Sequence, residues 1–523
     1  MKRNILAIAA LCSAISMAAC SAPATGLEFT GEGYTPVTLD YNGRQLSFRY
    51  YPNIFYVTNV ADSTYQKMNL YIPEEYFNGG SVNGYTANTA PIFLYHKIAG
   101  YTAARATSLA SAAVDRSRGP QGGRPGGGPQ GGPQGGPGMG QGGPRGPQGG
   151  RGPEENIDET IIPRTVTDSP NHPFMPLAAL LRGYVVAAPG ARGRNSDGGQ
   201  APAALIDLKA AVRYLRFNDA AMPGDAGRII SDGTSAGGAL SSLLGSTGNY
   251  PAYEPYLEEL GAAKASDDIF ATQAYCPITN LEHADMAYEW MFGSLSEGQH
   301  GEITPEMKEI SSSLASAFPA YVNSLGYKNA RGESLSLDEN GQGSFVGWVC
   351  HFLRESAQEQ IDKGVDLGEY KWVEVKDGKV GEIDWEGYVQ FVGRKKTPVA
   401  FDALDLSSAE NNEFGERGIL ARHFTAFGME HNTAEDSRMA PSELVFVMNP
   451  MNFIGNDEAT TSPHWRICHG TKDSDTAVAI PILLATNLLN HGYDVIFRST
   501  WDQPHGGDYD TTDQFDWIDS ICK

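Results

Sequence analysis

Basic residues are in short supply in this 523-residue chain: 39 Lys and Arg stand against 62 Asp and Glu, a formal net charge of -23. So acidic a surface repels phosphate backbones and anionic lipid, which excludes nucleic acid and anionic membranes as partners. Cysteine is scarce too. Past residue 20 only Cys276, Cys350, Cys468 and Cys522 remain, spaced too widely for a zinc knuckle, and they allow three pairings between which the sequence does not choose. After the N-terminus no apolar run is long enough to cross a membrane. Motifs for metal, nucleotide or flavin are missing, and the turn Gly190-Ala191-Arg192-Gly193-Arg194 lacks the fingerprint of a dinucleotide site. No metal and no cofactor is therefore expected.

What is there begins with an export signal. Met1-Lys2-Arg3, an apolar run from Ile5 to Ile15 and Met17-Ala18-Ala19-Cys20 describe a signal peptide over residues 1–19. The end of this segment resembles a bacterial lipobox, in which Cys20 becomes the lipidated first residue; the alternative is an ordinary signal peptide cut nearby. The body is then expected to be soluble, an exported lipoprotein facing the periplasm or cell exterior, touching membrane only through its anchor. A second low-complexity stretch runs from Arg116 to Gly152 in Pro-Gln-Gly-Gly and Gly-Gly-Pro units, with five arginines and no acid. It can bury almost nothing and lacks a Gly-x-y period, so it reads as a disordered surface insertion, with a polyanion contact as the alternative.

The remaining chain has an α/β rhythm. Strands are expected between Phe29 and Tyr71 at an antiparallel sheet edge, and buried parallel strands at Pro91–Tyr95, Tyr184–Gly190, Ile229–Thr234 and Ala271–Cys276. From Pro202 to Phe217 apolar residues recur at helical spacing, with Asp207, Lys209 and Arg213 on the other face. Near the C-terminus a strand at Trp465–His469, a helix over Thr476–Leu489 and a last strand at Tyr493–Arg498 continue the pattern.

Three of these strands end in chemistry. Gly233-Thr234-Ser235-Ala236-Gly237 joins a strand to a small-residue helix, the form of a nucleophile elbow. Asp473 follows the Trp465 strand, and His505 lies in the loop beyond the last one. Serine, acid and base thus appear in the chain order of α/β-hydrolases. A serine hydroxyl needs an imidazole to take its proton, and that imidazole needs a carboxylate to fix its tautomer. Developing charge on a carbonyl oxygen needs N–H donors, here Ala236 and Ala99 in the loop after Tyr95, although Tyr95-His96-Lys97-Ile98-Ala99-Gly100 is not the usual Gly-rich oxyanion loop. His469, Asp475 and His96 compete for places in the trio.

With these segments assembled, the chain resembles the bacterial subtype B tannase family of α/β-hydrolases. The matching segments are Gly233–Gly238, His469–Thr476, Pro504–Asp510 and Lys396–Asp402 through Ser408–Asn411. The resemblance implies a parallel sheet with a large inserted lid. It divides the chain into core at 20–280, lid at 281–435 and core again at 436–523. It also implies that Lys396 and Glu410 on the lid, with Asp475, bind the three vicinal hydroxyls of a galloyl ester, where Lys395 and Glu413 are the competing choices; Lys97 is a further candidate for substrate contact. The expected function is a secreted serine esterase acting on galloyl esters of tannins through an acyl-enzyme, with a small phenolic ester as its partner. The alternatives are a feruloyl or general carboxylesterase, a serine exopeptidase, or a polyphenol-binding lipoprotein without activity. Fungal-type tannases and feruloyl esterases carry cysteines beside the serine and the histidine; Thr234 and Gly506 stand there, which disfavours that branch.

Overall fold

The computed structural model describes residues 26–112, 161–169, 173–298 and 301–523. The signal peptide, Cys20 and the Arg116–Gly152 insertion lie outside the described residues. Ten strands form one sheet: β1 (Thr35–Tyr41), β2 (Arg44–Phe55), β3 (Lys67–Pro73), β4 (Pro91–Tyr95), β5 (Thr165–Val166), β6 (Val185–Pro189), β7 (Asp225–Thr234), β8 (Ala271–Tyr275), β9 (His464–Gly470) and β10 (Asp494–Thr500). Their spatial order is β10-β9-β8-β7-β4-β6-β3-β2-β1-β5. From β10 to β6 every neighbouring pair is parallel. β3, β2 and β1 add the antiparallel edge. Every residue of β4, β6 and β8 is buried, as strands covered on both faces must be. β1, nearer the edge, mixes exposed and buried positions.

The helices that bear on the site include α1 (Met175–Arg182), α2 (Ala203–Phe217), α3 (Ala236–Ser246), α4 (Leu281–Phe292), α5 (Pro305–Leu325), α6 (Ser344–Asp362), α7 (Trp385–Val392), α8 (Ala409–Glu413), α9 (Ala479–Asn490) and α10 (Thr511–Cys522), and three shorter ones lie at Glu254–Glu259, Ala426–Glu430 and Ser442–Val447. The chain leaves the sheet at Tyr275 and rejoins it at His464, and α4 to α8 lie in that interval with a two-stranded hairpin, Val373–Lys376 against Lys379–Ile383. The mostly parallel sheet flanked by helices is the α/β architecture expected. Among the described residues no helix is long and apolar enough to cross a membrane.

Four details differ from the sequence reading. The Trp- and Tyr-bearing stretch Glu369–Phe391, whose pattern suits a hairpin throughout, forms one over only part of its length, because Asp384 accepts from Gly387 N at 3.0 Å and starts α7 there. α9 begins at Ala479 and not at Thr476, because the residues before it belong to a loop tied down by other contacts: Asp475 N donates to Asp473 at 2.9 Å and Ser474 O accepts from Tyr288. The four cysteines are all free and buried. Most consequential, Asp207, Lys209 and Arg213 do not face solvent. Asp207 pairs with Arg192 at 2.8 Å, Lys209 with Asp267 at 2.8 Å, and Arg213 bridges Asp267 and Glu254. α2 is covered on its polar side as well, so its charges are neutralised inside the protein.

Lys209 and Asp267 are both essentially inaccessible, at 0% and 1% side-chain exposure. Burial pushes the Lys209 ammonium down, whereas Asp267, which burial alone would raise, is held below the usual carboxylate range by Lys209. Removing one partner leaves the other charge dry and unpaired. Asp267→Ala is therefore expected to lower the unfolding free energy by about 3–5 kcal/mol, read from urea denaturation; a loss under about 1 kcal/mol would mean that the pair behaves as a solvated one.

Candidate active site

Ser235 sits alone between the end of β7 and the start of α3, at φ 63° and ψ -122°. Non-glycine residues rarely adopt positive φ, and it persists only where the surroundings over-determine it. Here Ser235 N donates to Tyr275 O at 2.9 Å, and Ser235 O accepts from Ala239 N and Ile278 N. Two glycines make the turn sterically possible. A Cβ on Gly233 would fall 2.4 Å from the Gly237 carbonyl oxygen, and one on Gly237 would fall 2.6 Å from that of Ile98. The hydroxyl is thereby lifted off the C-terminal edge of the sheet.

That edge gathers the other groups. His505 Nε2 lies 2.9 Å from Ser235 Oγ, and His505 Nδ1 lies 2.8 Å from Asp473 Oδ2. The three residues follow β7, β10 and β9, whose ends are aligned through β8 between them. Asp473 is fully buried; burial would raise its carboxyl, yet His505 holds it well below the usual range. Burial likewise works against a charged His505, but the Asp473 carboxylate reverses the effect and raises it above an ordinary histidine. The arrangement can move a proton from the serine hydroxyl to an imidazole whose other face is fixed.

The competing candidates are placed elsewhere. His469 is 3.7 Å from Asp473 and buried, with no hydrogen bond to either ring nitrogen. His96 bonds Ser241 at 3.0 Å and is pushed down to about 4 by burial. Asp475 is held by Lys395, 2.5 Å away.

Ala236 is the first residue of α3, so its N–H has no intrahelical acceptor and lies at the positive end of the helix. The loop after β4 packs over the same turn through Ile98, and it is braced twice. Ala99 O accepts from Thr102 N and Oγ1, and Gly100 O accepts from Arg194 Nε at 2.7 Å. Lys97 is exposed, beside Asp508 and 6.0 Å from the Tyr95 ring.

Lys396 Nζ lies 4.2 Å from the Phe401 ring and interacts electrostatically with Glu410. Glu410 is buried, which pushes its carboxyl up while Lys396 opposes the shift. Glu413 is also buried, and its oxygens receive no donor; burial raises it well above the usual range. Lys396 and Glu410 are thus brought together, while Asp475 meets the neighbouring lysine.

Sequence reasoning missed what holds these groups. Along α4, Asp285 accepts from the N–H groups of Phe401 and Asp402, and Tyr288 Oη accepts from the N–H groups of Lys395 and Lys396 while donating to Ser474 O at 3.0 Å. Glu289 pairs with Arg394, both 0% exposed, and Arg394 also donates to Lys396 O. Their spacing of three and four along one helix places them on one face, and that was the available signal. Cys276 was overlooked too: its sulfur lies 3.9 Å from His505 Nε2 and 3.3 Å from Gly506 O. Among the described residues Cys276, Asp473 and His505 form the one grouping of metal-ligand atoms, within 4.8 Å of one another, but two of them are already engaged with each other.

A family model described as BD-FAE matches residues 167–308. No curated relative matches the chain. Solved structures do. A tannin acyl hydrolase from Lactobacillus plantarum superposes with a TM-score of 0.81 at 37% identity, covering 95% of this chain and 99% of that one. A tannase from Fusobacterium nucleatum gives a TM-score of 0.80 at 38% identity, with the same two coverages of 95% and 99%. A tannin acyl hydrolase in complex with ethyl gallate matches equally, at 0.81 and 37% over 95% of this chain and 99% of that one.

The geometry sets a pH dependence. An imidazole that is to accept the serine proton must lack its extra proton, and Asp473 raises the affinity of His505 for it, so activity is expected to climb as pH rises through a value above the ordinary 6.5 or so of histidine. Asp473→Asn should move this limb to lower pH and reduce kcat about 10³- to 10⁴-fold. Asp475→Asn should leave the limb in place, and the opposite ranking in a pH–rate profile would exchange the roles of the two carboxylates.

Proposed function

The chain belongs to the bacterial tannase (tannin acyl hydrolase) family of ester hydrolases with an α/β-hydrolase fold, and on that premise we propose that it cleaves galloyl esters with Ser235, His505 and Asp473. His505 takes the Ser235 proton as Oγ attacks the ester carbonyl carbon, and Asp473 stabilises the imidazolium. The carbonyl oxygen becomes an oxyanion beside the N–H groups of Ala236 and Ala99. Collapse breaks the bond to the alcohol, which leaves with the proton from His505, and the acyl group remains on Ser235. Water, giving a proton to His505, then attacks the acyl carbon; the bond to Ser235 Oγ breaks, Oγ takes that proton back from His505, and gallic acid leaves.

The observation that carries the substrate assignment is the buried Glu410 carboxyl facing the half-buried Lys396, whose backbone is tied through Tyr288 to the loop that bears Asp473 and Asp475. Three adjacent phenol hydroxyls need acceptors and a donor, which Glu410, Asp475 and Lys396 supply. An ester lacking those hydroxyls would desolvate Glu410 and its neighbours without giving them hydrogen bonds in return, and that penalty is the source of selectivity. The N-terminal pattern ending in Cys20 supports an exported lipoprotein, anchored by lipid and acting outside the cytoplasm.

Steady-state hydrolysis of methyl gallate, methyl ferulate and a plain acetate ester, with Ser235→Ala as the control, tests the reading. Serine-dependent turnover is expected to favour the gallate. Glu410→Gln should cut kcat/KM for methyl gallate about 10- to 100-fold, the loss of a hydrogen bond to a charged group, and change the acetate ester little. If ferulate is the better substrate, the galloyl assignment fails and a feruloyl esterase replaces it. Undiminished turnover by Ser235→Ala would remove the serine mechanism altogether.

A further inference from the structure

Two carboxyl groups meet behind the reacting atoms. Asp232 lies on β7 three residues before Ser235, and Asp508 lies three residues after His505. Their side chains hydrogen-bond each other. Ionised carboxylates only accept, so one of the two must carry a proton.

The surroundings decide which. Asp232 is 1% exposed; its Oδ1 accepts from Gln514 Nε2 at 3.1 Å, and its Oδ2 receives no N–H or O–H donor from other residues. The nearest cation, Arg466 of β9, is engaged by Asp510 and by Gln273. Asp508 is half-buried, faces the ammonium of Lys97 and accepts from Tyr95 Oη at 3.3 Å. Negative charge is better supported on Asp508, and the proton on Asp232. Burial and the Asp508 charge both favour neutral Asp232, with Gln514 and Arg466 opposing weakly.

We propose that Asp232 donates a single shared proton to Asp508, and that this link latches the His505 loop to the nucleophile strand. Both are then positioning residues for the relay, touching neither substrate nor the reacting atoms. The position of the link gives it this effect. Ser235 Oγ and His505 Nε2 belong to segments far apart in the chain and must stay 2.9 Å from each other, and the carboxyl pair joins those same two segments one turn back. Were Asp232 to ionise, two like charges would sit in the joint with only Lys97 and the already engaged Arg466 to offset them, beside Asp510 and the Tyr95 phenol. The latch rests on the assignment of Ser235 and His505; the proton on Asp232 does not.

Two variants separate these parts. Asp232→Asn keeps a donor for Asp508 and an acceptor for Gln514 but cannot ionise, whereas Asp232→Ala keeps neither. At neutral pH the Ala variant is expected to lose about 10- to 100-fold in kcat on whichever ester the enzyme turns over, the cost of a small misplacement, with KM nearly unchanged. The Asn variant should restore kcat to near the wild-type value. Melting curves supply an arm that needs no substrate. An unfolded aspartate ionises near pH 4 while folded Asp232 keeps its proton, so the wild type loses stability as pH climbs above about 4 and the Asn variant does not. The Tm of Asp232→Asn relative to wild type should therefore rise between pH 4 and pH 8, by about 2 °C or more. A gap that stays flat or falls overturns the proton on Asp232. A gap that rises while Asp232→Ala keeps full kcat overturns the latch.

Discussion

One strained residue sets the terms for the rest of the molecule. Holding a serine at positive φ costs on the order of 1–3 kcal/mol, so the turn needs a frame that allows no relaxation. β7 has parallel partners on both sides, and the Ser235 amide is bound by the carbonyl of Tyr275 at the end of β8. Behind the turn, every residue of α3 is buried. The helix can approach the sheet this closely because its small residues leave no side chain in the way: a Cβ on Gly245 would lie 2.1 Å from the Thr272 hydroxyl. The long buried strands and the small-residue helix therefore serve a single torsion angle, and the flanking loops are arranged around the hydroxyl it exposes.

A second constraint is electrostatic. Despite its surplus of acid, the protein buries several cations, each against a matched carboxylate: Lys209 with Asp267, Arg192 with Asp207, Arg394 with Glu289. Such pairs contribute little net stability, because desolvation offsets most of the attraction, yet removing one partner is costly. What they give is placement. Arg394 is fixed by Glu289 and in turn holds the Lys396 carbonyl, so the backbone of the lysine proposed to bind substrate is held by a fully buried pair that begins two residues before it. Two fully buried charges can pair in few ways, whereas an apolar contact would tolerate sliding.

This difference explains what was legible in the sequence. Strands such as Pro91–Tyr95 and Val185–Pro189 announce themselves because burial on both faces demands unbroken apolar runs. The elbow is legible because the close approach of backbone on both sides of Ser235 leaves glycine as the residue that fits at positions 233 and 237. Charged residues are different: Asp207, Lys209 and Arg213 have the helical spacing of a solvated face, and only a long-range partner such as Asp267 reveals that they are inside. The same holds for Asp285, Tyr288 and Glu289, whose roles depend on a segment about a hundred residues later in the chain. Local pattern reports which face is apolar; it carries no information about which distant carboxylate meets a polar one. Lys395 and Lys396 show the limit at its finest, since adjacent lysines have the same chemistry and only the fold sends one to Asp475 and the other toward Glu410.

The loop from Asp473 to Asp475 draws these constraints together. Asp473 accepts from His505 with one oxygen and from the Asp475 amide with the other, so the backbone at Asp475 helps to orient the carboxylate behind the base. The Asp475 side chain reaches Lys395, and the carbonyl between the two aspartates is bound by Tyr288, which also carries the amides of Lys395 and Lys396. The proposed chemistry and the proposed recognition therefore share one short piece of chain. A shift of the Lys395–Lys396 segment cannot be absorbed in that segment alone, because its two amides, its ammonium and the Ser474 carbonyl are bonded into a single cycle. The segment between the candidate nucleophile and the candidate acid is for this reason no separate addition: its helix α4 and the carboxylate behind His505 define each other's position.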